Sequence, residues 1–288
     1  MLEPNLILAK ASPEFTIKSD EVRRQFEKVL LANLRLALKN AEVNAKISCS
    51  RGRIFVLAEN PESAIRAMKA VFGLHSITLA REIQGNSLEE ISRELLGIAN
   101  GFLESGDSFA LRVNRIAANA LSSQELGREF GSAVMESIAG LKVDLSNPKK
   151  EIFIEILEGK AIFFTATEKG AGGLPIGTAG KAGFVFSGIP NEFNAALMLM
   201  KRGCSIIAIA ENPSKKTLEE IERLRGWNCG TPLRICSAEE AKRLGAIGIG
   251  SAENNITEIL SREKNGFEMF PLLFAPKTRE AKARCASE

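Results

Sequence analysis

A short run of residues, Ser187-Gly188-Ile189-Pro190-Asn191-Glu192, lies where many nucleotide-binding proteins bind a phosphate. It follows the apolar segment GFVF (183–186) and precedes a segment whose apolar residues recur at helical spacing. A tight turn from a strand into a helix points backbone N–H groups at an anion, and the helix dipole adds to the attraction. The order of residues therefore predicts a phosphate-binding type of turn, and its side chains decide whether a phosphate fits.

Three side chains of this turn oppose phosphate binding. Ile189 is β-branched, so it resists a positive φ and blocks close backbone approach. Asn191 lacks the charge that an aspartate would offer to Mg²⁺. Glu192 places a carboxylate in the first helical turn, which favours the helix by about 0.3–1 kcal/mol but puts an anion at the anion site. A structural βα unit is therefore favoured over an ATP site, with Pro190 in the first helical turn.

The helix after this turn and the glycine-rich segment before it are interpreted as structural. Phe193, Leu197 and Met200 are expected to form the buried stripe of the helix. GGLPIGTAGK (172–181) has the wrong spacing for a Walker A loop and precedes the strand instead of following it. We expect it to be a linker or an RNA-facing loop.

Cysteine and histidine usage excludes several site types. The five cysteines are scattered without a C-x-x-C pair, which argues against a zinc site or a disulfide framework; they are Cys49, Cys204, Cys229, Cys236 and Cys285. Cys204 is expected to be buried, and Cys285 is interpreted as a frayed terminal residue. The single histidine, His75, is expected to be a strand residue, and no metal site is predicted.

Composition is that of a soluble globular protein with room for two or three domains. The chain has 288 residues, of which 45% are hydrophobic, and a net charge of +3. No apolar run approaches the ~20 residues that span a bilayer, and the N-terminus has no signal-peptide pattern. We therefore expect a cytoplasmic protein without a membrane partner. Any basic face must be assembled in space, because the overall charge is small.

The first part of the chain predicts a βαββαβ order. A strand is expected over 5–11, a helix over 20–39 with Asp20 as its N-cap, and a hairpin around Ser50-Arg51-Gly52. A helix over 61–73 and a strand over 75–83 complete the order, which is that of a ferredoxin-like α+β domain.

The middle of the chain, to residue 170, predicts a second α/β unit. Two helices, 87–103 and 122–140, enclose a strand over 109–116, and Ser122 with Glu125 forms a capping box. Two further strands are joined around Gly159.

After the glycine-rich stretch, strands and helices alternate, which favours a parallel sheet covered by helices. The predicted strands are 183–187, 205–210 and 232–236, and the predicted helices are 191–202, 214–225, 238–245 and 254–262.

Four segments resemble the THUMP domain, a module of enzymes that modify tRNA. They are FALRVNRI (109–116), SSQELGREFG (122–131), GLKVDLSNPKKEIFIEI (140–156) and GGLPIGTAGK (172–181). The whole chain resembles the tRNA 4-thiouridine sulfurtransferase family, through segments 13–34, 71–83, 180–203, 238–255 and 271–283.

The resemblance implies three domains within an α/β fold class. These are a ferredoxin-like domain (1–84), a THUMP domain (85–170) and, after a glycine-rich linker (171–181), a shortened, degenerate PP-loop domain of the adenine nucleotide hydrolase type (182–288). In such a family the first two domains hold tRNA. The PP-loop domain adenylates a uridine, and a cysteine persulfide then delivers sulfur. The family's acceptor cysteine lies beyond the segment that 271–283 resembles, and Cys285 is not equated with it.

The family's PP-loop turn reads S-G-G-x-D-S, and here only Ser187 and Gly188 match it. The resemblance thus implies a tRNA-binding accessory protein without a cofactor, which presents tRNA to a catalytic partner. The alternative is a divergent enzyme that adenylates or thiolates tRNA, using Ser187, Gly188 and Lys181 on ATP and Mg²⁺ with sulfur from a partner. A homodimer is also possible for such a relative.

Basic residues are the candidate RNA contacts, since phosphates are bound by cations without reading the sequence. They are Lys18, Arg23, Arg24, Arg112, Arg115, Lys142, Lys149 and Lys150, with Lys10 beside them. Arg112 and Arg115 are three residues apart on one strand, so we expect them on opposite faces.

Overall fold

The computed structural model describes residues 3–50, 52–85, 87–115 and 122–252, together with the backbone of 269–271. The chain divides into two compact units. The first unit comprises residues 1–10, 44–65 and 76–169, and the second comprises 11–43, 66–75 and 170–288. Within the described ranges, no helix is both long and apolar enough to cross a membrane. The domain boundaries predicted from the sequence stay a prediction.

The first unit is built on a mixed sheet, which has nine strands in the described residues and the order β2-β3-β1-β4-β8-β7-β5-β6, with β9 paired to β4. The strands are β1 (Leu6–Ala11), β2 (Ala45–Ser50), β3 (Arg53–Ala58), β4 (Leu74–Gln84), β5 (Ser108–Arg115), β6 (Lys142–Val143), β7 (Lys150–Leu157), β8 (Lys160–Phe164) and β9 (Glu168–Lys169). The order β2-β3-β1-β4 is the ferredoxin-like arrangement, as predicted. The short strands β6 and β9 were not predicted.

Alternation along the strands gives this sheet two different faces. On β7, Ile152, Ile154 and Ile156 join the core with helices α4 (Leu88–Phe102) and α5 (Ser123–Ser137). Phe153 and Leu157 point to the other face. Both helices begin with a reciprocal capping box, Ser87 with Glu90 and the predicted Ser122 with Glu125.

The second unit contains a parallel sheet, as predicted from the alternation of strands and helices. Its order is β12-β11-β10-β13-β14 within the described residues, with β10 (Lys181–Val185), β11 (Ser205–Ile209), β12 (Ile235–Cys236), β13 (Ala246–Ser251) and β14 (Met269–Pro271). Its helices include α6 (Glu192–Lys201), α7 (Lys215–Arg223) and α8 (Ala238–Arg243). The predicted helix at 254–262 lies outside the described residues.

Three further helices precede this sheet in the chain. A single turn, α1 (Pro13–Thr16), was not predicted, and α3 (Pro61–Met68) contributes residues to both units. The long helix α2 (Asp20–Asn40) belongs to the second unit. The prediction of Asp20 as N-cap was wrong by one residue, because Ser19 precedes the helix in an extended conformation.

The glycine-rich segment at 170–180 is an ordered part of the second unit. Gly170 and Gly172 donate backbone hydrogen bonds to the carbonyls of His75 and Leu74, at 2.9 and 2.8 Å. Leu174 donates to the carbonyl of Lys201 at 2.9 Å. These bonds fix the segment beside α6, while its role as a domain boundary stays a prediction.

The buried stripe of α6 differs from the predicted one. Met200 is fully buried, but Ala195 and Ala196 lie beside it, while Phe193 and Leu197 are only half-buried. Small residues face the sheet because they let the helix approach it closely, so the larger side chains pack at its flanks.

Candidate functional site

A cavity of about 860 Å³ lies at the β5 edge of the sheet in the first unit. The short β6 pairs only with Ser108 and Phe109, and beyond them this edge of β5 lines the cavity. The lining comes from both faces of the sheet and from α5; it includes Leu111, Arg112, Val113, Asn114, Gln124, Arg128, Met135, Phe153, Glu155 and Phe164. A cavity of this size accommodates a ligand as large as a nucleotide.

Aromatic rings form one part of the cavity wall. Phe153 and Phe164 stack in parallel planes with ring centroids 4.9 Å apart. The Lys10 ammonium lies 5.5 Å from the centroid of the Phe164 ring. Rings and cations of this kind are the groups on which unpaired nucleobases and their phosphates bind.

A buried carboxylate sets the charge in this wall. Glu155 is only 2% exposed, and Lys10 Nζ lies 2.5 Å from its Oε1. Arg53 Nε donates to Glu155 Oε2 at 2.5 Å. Because two cations surround one carboxylate, this group of three side chains keeps a net positive charge at the cavity.

The α5 wall is thin because it contains two glycines. Gly127 and Gly131 both line the cavity. A Cβ added at Gly127 would meet only Val113, at 3.9 Å, and one at Gly131 would meet nothing within 4 Å. Each glycine in a helix interior lowers helix stability by about 1 kcal/mol relative to alanine. The packing of α5 gives no reason for glycine at these two positions. A ligand that approaches the helix backbone would give such a reason.

The turn after β10 holds a second candidate site, in the second unit. The Glu192 side chain is fully buried, and its carboxylate accepts hydrogen bonds from the backbone N–H groups of Ser187 at 2.5 Å and Gly188 at 3.0 Å. Burial raises the pKa of Glu192 above its ordinary value, while the N–H groups of Ser187, Gly188 and Ile189 act in the opposite direction. The backbone donors of this turn therefore bind a carboxylate of the chain itself.

The turn ends at an N-cap residue in the left-handed conformation. Asn191 is the N-cap of α6 in the left-handed conformation, with φ 72°, and Gly188 has φ 83°. Pro190 therefore lies before the N-cap, whereas the sequence predicted it to lie within the first helical turn. Ile189 does not adopt a positive φ in this turn and packs partly against the core of the unit.

Comparison with known proteins identifies both parts of the first half of the chain. Residues 6–78 match the ThiI ferredoxin-like domain, and residues 85–166 match the THUMP domain. A probable tRNA sulfurtransferase of Saccharolobus solfataricus is 34% identical over 235 residues, which are 80% of this chain and 62% of that protein. One from Methanothermobacter thermautotrophicus is 34% identical over 77% of this chain and 56% of its own length.

The chain is a relative of the tRNA sulfurtransferases. It spans about 60% of the length of these curated relatives. Among solved structures, the protein PH1313 from Pyrococcus horikoshii Ot3 is 28% identical with a TM-score of 0.83, covering 98% of this chain and 99% of that one. A 4-thiouridine synthetase, solved with RNA and bound ATP, shares the fold with a TM-score of 0.77 and 20% identity over 99% of this chain and 85% of that one.

In this sulfurtransferase relative, the predicted basic residues have different surroundings. Arg112 lines the cavity, where its Nε donates to Glu151 Oε1 at 2.8 Å and its Nη2 to the Leu145 carbonyl at 2.9 Å. Arg115 is near enough to Glu125 of α5 to lower the pKa of that carboxyl, after the larger effect of Ser122. On β5, Leu111 and Val113 pack against the core that α5 covers, so Arg115 lies on that face and Arg112 on the other, as predicted.

Two predicted RNA-binding lysines are engaged within the protein. Lys149 Nζ lies 2.6 Å from Asp107 Oδ1, and Lys150 Nζ lies 2.8 Å from Asp107 Oδ2. Lys150 also donates to the Phe102 carbonyl at 2.7 Å. Hydrogen bonds from both lysines hold the pKa of the Asp107 carboxyl well below its usual range. Neither lysine lines the cavity, and Lys149 stays exposed beside its ion pair, so the RNA contacts predicted for the two lysines stay predictions.

The remaining predicted cations are spread over the two units. Lys142 is exposed on β6 in the first unit. In the second unit Lys18 and Arg24 are exposed, whereas Arg23 is half-buried and pairs with Asp20 at 2.8 Å. Sequence reasoning missed Arg128 and Gln124, which are exposed cavity residues on α5. The signal that could have found them is their spacing of four residues, with Gly131 three residues later, which places all three on the cavity-lining face of α5.

Lys181 lies far from the turn that holds Ser187 and Gly188, with which the adenylating-enzyme alternative combined it. It begins β10, and its Nζ donates to the Leu244 carbonyl at 3.0 Å. Ser187 follows the other end of that strand, and at about 3.3 Å per residue the strand separates the two positions by about 20 Å. The structure therefore contradicts the grouping of Lys181 with Ser187 and Gly188.

Three of the described cysteines lack the lowered pKa that a reactive thiol needs. Burial raises the pKa of the Cys229 thiol to about 11, and it also raises the pKa values of Cys204 and Cys236. Cys204 is half-buried, not buried as predicted, and His75 is an exposed strand residue. No group of His, Cys, Asp and Glu in the described ranges could hold a metal ion. Cys285 lies outside the described residues.

Proposed function

We propose that this chain binds tRNA in the cytoplasm and acts in tRNA thio-modification as an accessory protein without adenylation activity. The observation that carries the proposal is the buried Glu192 carboxylate, which already occupies the backbone N–H groups of Ser187 and Gly188. The partner to which it presents tRNA, and a homodimeric state, stay predictions.

The first half of the proposal rests on the cavity of the first unit, whose lining, apart from Lys10, comes from residues that match the THUMP domain. The half-buried Phe153 ring, backed by the buried Phe164 ring on which it stacks, offers an apolar surface for a base, and Asn114 offers an amide that can donate to and accept from a base edge. Exposed Arg128 and the partly exposed Arg112 supply charge for phosphates. The names of the relatives, tRNA sulfurtransferases, support tRNA as the RNA class.

The second half rests on the chemistry of the turn after β10. A bound pyrophosphate would need the backbone N–H groups that Glu192 occupies. It would also approach a carboxylate, so the two anions would repel each other unless Glu192 moved out of its buried position. The turn therefore favours the apoprotein over an ATP complex, and ATP and Mg²⁺ are not assigned as cofactors.

The proposal is tested by two titrations of one preparation of the full chain. Calorimetry with Mg-ATP should give no binding heat at micromolar to submillimolar nucleotide. Filter binding should show tRNA affinity that falls steeply with salt, because each phosphate contact releases counterions.

A matched pair of variants locates the RNA site. Arg128→Gln, in the cavity, should weaken tRNA binding and reduce the salt slope by about 1. Arg93→Gln changes an exposed arginine on α4 that does not line the cavity, and it should leave the tRNA affinity and the salt slope unchanged.

Two outcomes would count against the proposal. Micromolar ATP binding would support the adenylating-enzyme alternative. A wild-type chain that does not bind tRNA would refute the proposal.

A further inference from the structure

Part of β5 in the first unit has no strand partner on one side among the described residues. The Asp144 N–H donates to the Phe109 carbonyl at 3.0 Å, so the backbone groups of Phe109 point towards β6. Backbone groups of residues two apart point to the same side of a strand, so those of Leu111 and Val113 point this way as well. β6 ends at Val143, and no described strand pairs with Leu111 or Val113 on this side. We call this stretch the free edge of β5.

The chain leaves the free edge through a turn directly after β6. The Asp144 carboxylate accepts hydrogen bonds from the backbone N–H groups of Ser146 and Asn147, both at 2.9 Å, which forms an Asx turn. Arg112 Nη2 donates to the Leu145 carbonyl at 2.9 Å and holds the turn in place. A strand edge that stays open in this way is a template on which another strand can pair.

The side of the free edge that faces α5 is apolar. Val143 pairs with Phe109, which packs in the core that α5 covers, so Val143 lies on the α5 side. Exposed apolar side chains that group around one cavity are typical of an interaction site. The exposed fractions of Met135, Val143 and Leu145 are 45%, 50% and 62%. We call the lining on this side the apolar groove: Leu111, Val113, Gly127, Gly131, Met135, Val143 and Leu145.

Cations surround the apolar groove. Arg128 of α5 is exposed, and Arg112 lies on the other face of β5. Among the described residues that line the cavity, the cations are Lys10, Arg112 and Arg128, and the one carboxylate is Glu155. The lining is therefore net positive, so its charge is complementary to a partner that carries carboxylates.

We propose that the free edge of β5 binds an extended segment of a partner protein in which apolar and acidic side chains alternate. The segment pairs as an added strand with the backbone groups of Leu111 and Val113, and these hydrogen bonds supply affinity. Side chains of a strand alternate between two faces, so the apolar ones enter the apolar groove while the acidic ones lie on the face of Arg112. The space beside Gly127 and Gly131 admits the apolar side chains, which explains glycine at these helical positions.

The segment uses cations that the proposed function assigns to RNA. Arg112 and Arg128 would contact either carboxylates of the segment or phosphates of tRNA, so the two ligands should compete for the cavity. This competition rests on the proposed function, whereas binding of the segment does not. The stacked rings of Phe153 and Phe164 lie on the face of β5 opposite α5.

The test measures fluorescence polarisation of the fluorescein-labelled peptide EVEVEVE with the full chain at ~100 mM salt. Saturable binding is expected, because the peptide alternates valine with glutamate. The peptide EEVVVEE has the same composition without alternation, and KVKVKVK keeps the alternation with the opposite charge. Both should bind more weakly by about tenfold or more, since each lacks one of the two matched features.

Two variants locate the peptide on the free edge. Val113→Pro removes an N–H that points away from β7, a substitution that an edge strand tolerates, and it should lower the affinity by about tenfold or more. Gly131→Leu fills the apolar groove and should have the same effect without lowering the Tm, because leucine favours a helix more than glycine does. Gly97→Leu is the matched control, because Gly97 is an exposed glycine of α4 with nothing within 4 Å of an added Cβ and it does not line the cavity.

Several outcomes would overturn the inference. They are no saturable binding of EVEVEVE, equal binding of EEVVVEE, and unchanged affinity in both Val113→Pro and Gly131→Leu. Bound tRNA that does not displace the peptide would place the peptide outside the cavity and would also overturn it. The peptide titrations contain no RNA, so a chain that binds the peptide through these residues but does not bind tRNA would refute the proposed function and support this inference.

Discussion

Replacing Glu192 by glutamine tests the internal anion of the turn directly. The side chain is fully buried, and its carboxylate accepts hydrogen bonds from the backbone N–H groups of Ser187 and Gly188. Glutamine keeps the shape and one acceptor oxygen, but its NH₂ group faces a donor. One buried N–H is then unsatisfied, which costs about 1–3 kcal/mol.

The loss is partly offset because glutamine avoids burying a charge, so we expect a net loss of about 2 kcal/mol. A unit of about 150 residues loses about 2–4 °C in Tm per kcal/mol. The thermal transition of the second unit should therefore fall by about 4–8 °C. Differential scanning calorimetry measures it, and Glu219→Gln, an exposed substitution on α7, is the control.

The pH dependence gives an independent check of the same side chain. Burial raises the pKa of Glu192 in the folded state, so its contribution to stability is present at low pH and is lost as the pH rises through that pKa. Glutamine does not titrate. The free energy of unfolding of the wild type, minus that of Glu192→Gln, should therefore increase as the pH falls through the raised pKa of Glu192 towards the ordinary pKa of a glutamate. An unchanged Tm in the variant, or a difference that shrinks on acidification, would refute the reasoning.

Two further predictions concern the scaffolds of the two units. Asp107→Asn should lower the Tm of the first unit, because Lys149 and Lys150 lose the carboxylate with which they pair. The pKa of Asp107 is lowered in the folded state, so its contribution to stability is lost as the pH falls through that lowered pKa. The stabilities of the wild type and the variant should therefore converge in strong acid. A variant as stable as the wild type at neutral pH would contradict this. Gly173→Ala should cost the second unit at least about 2 kcal/mol in urea unfolding, because φ is +70° and the new Cβ would lie 2.3 Å from the Lys201 carbonyl. Gly172→Ala, with φ +65° and no atom closer than 3.9 Å, is the matched control, and equal losses in the two variants would exclude the steric explanation.

Much of the local structure follows from the sequence, since helices and strands depend on residues two to four positions apart. The capping box at Ser122, the strand over Ser108–Arg115 and the helix beginning at Glu192 are all present. The conflict between Glu192 and a phosphate also follows from the sequence, because residue type and helix position alone put a carboxylate at the anion site. Residue patterns were less informative about the faces of α6, where small alanines replace the expected large residues at the sheet.

The tertiary structure alone decided which distant residues meet. Lys10 and Glu155 are 145 positions apart, and their contact depends on the strand order that brings β1 and β7 into one sheet. The ion pair of Lys149 with Asp107 depends on the fold for the same reason, and the RNA contact predicted for Lys149 stays a prediction. The sequence by itself determined the elements and the charge carried by each one. Only the folded chain determined which charges form ion pairs, as at Asp107 and Glu155, because ion pairing depends on distances that local patterns do not specify.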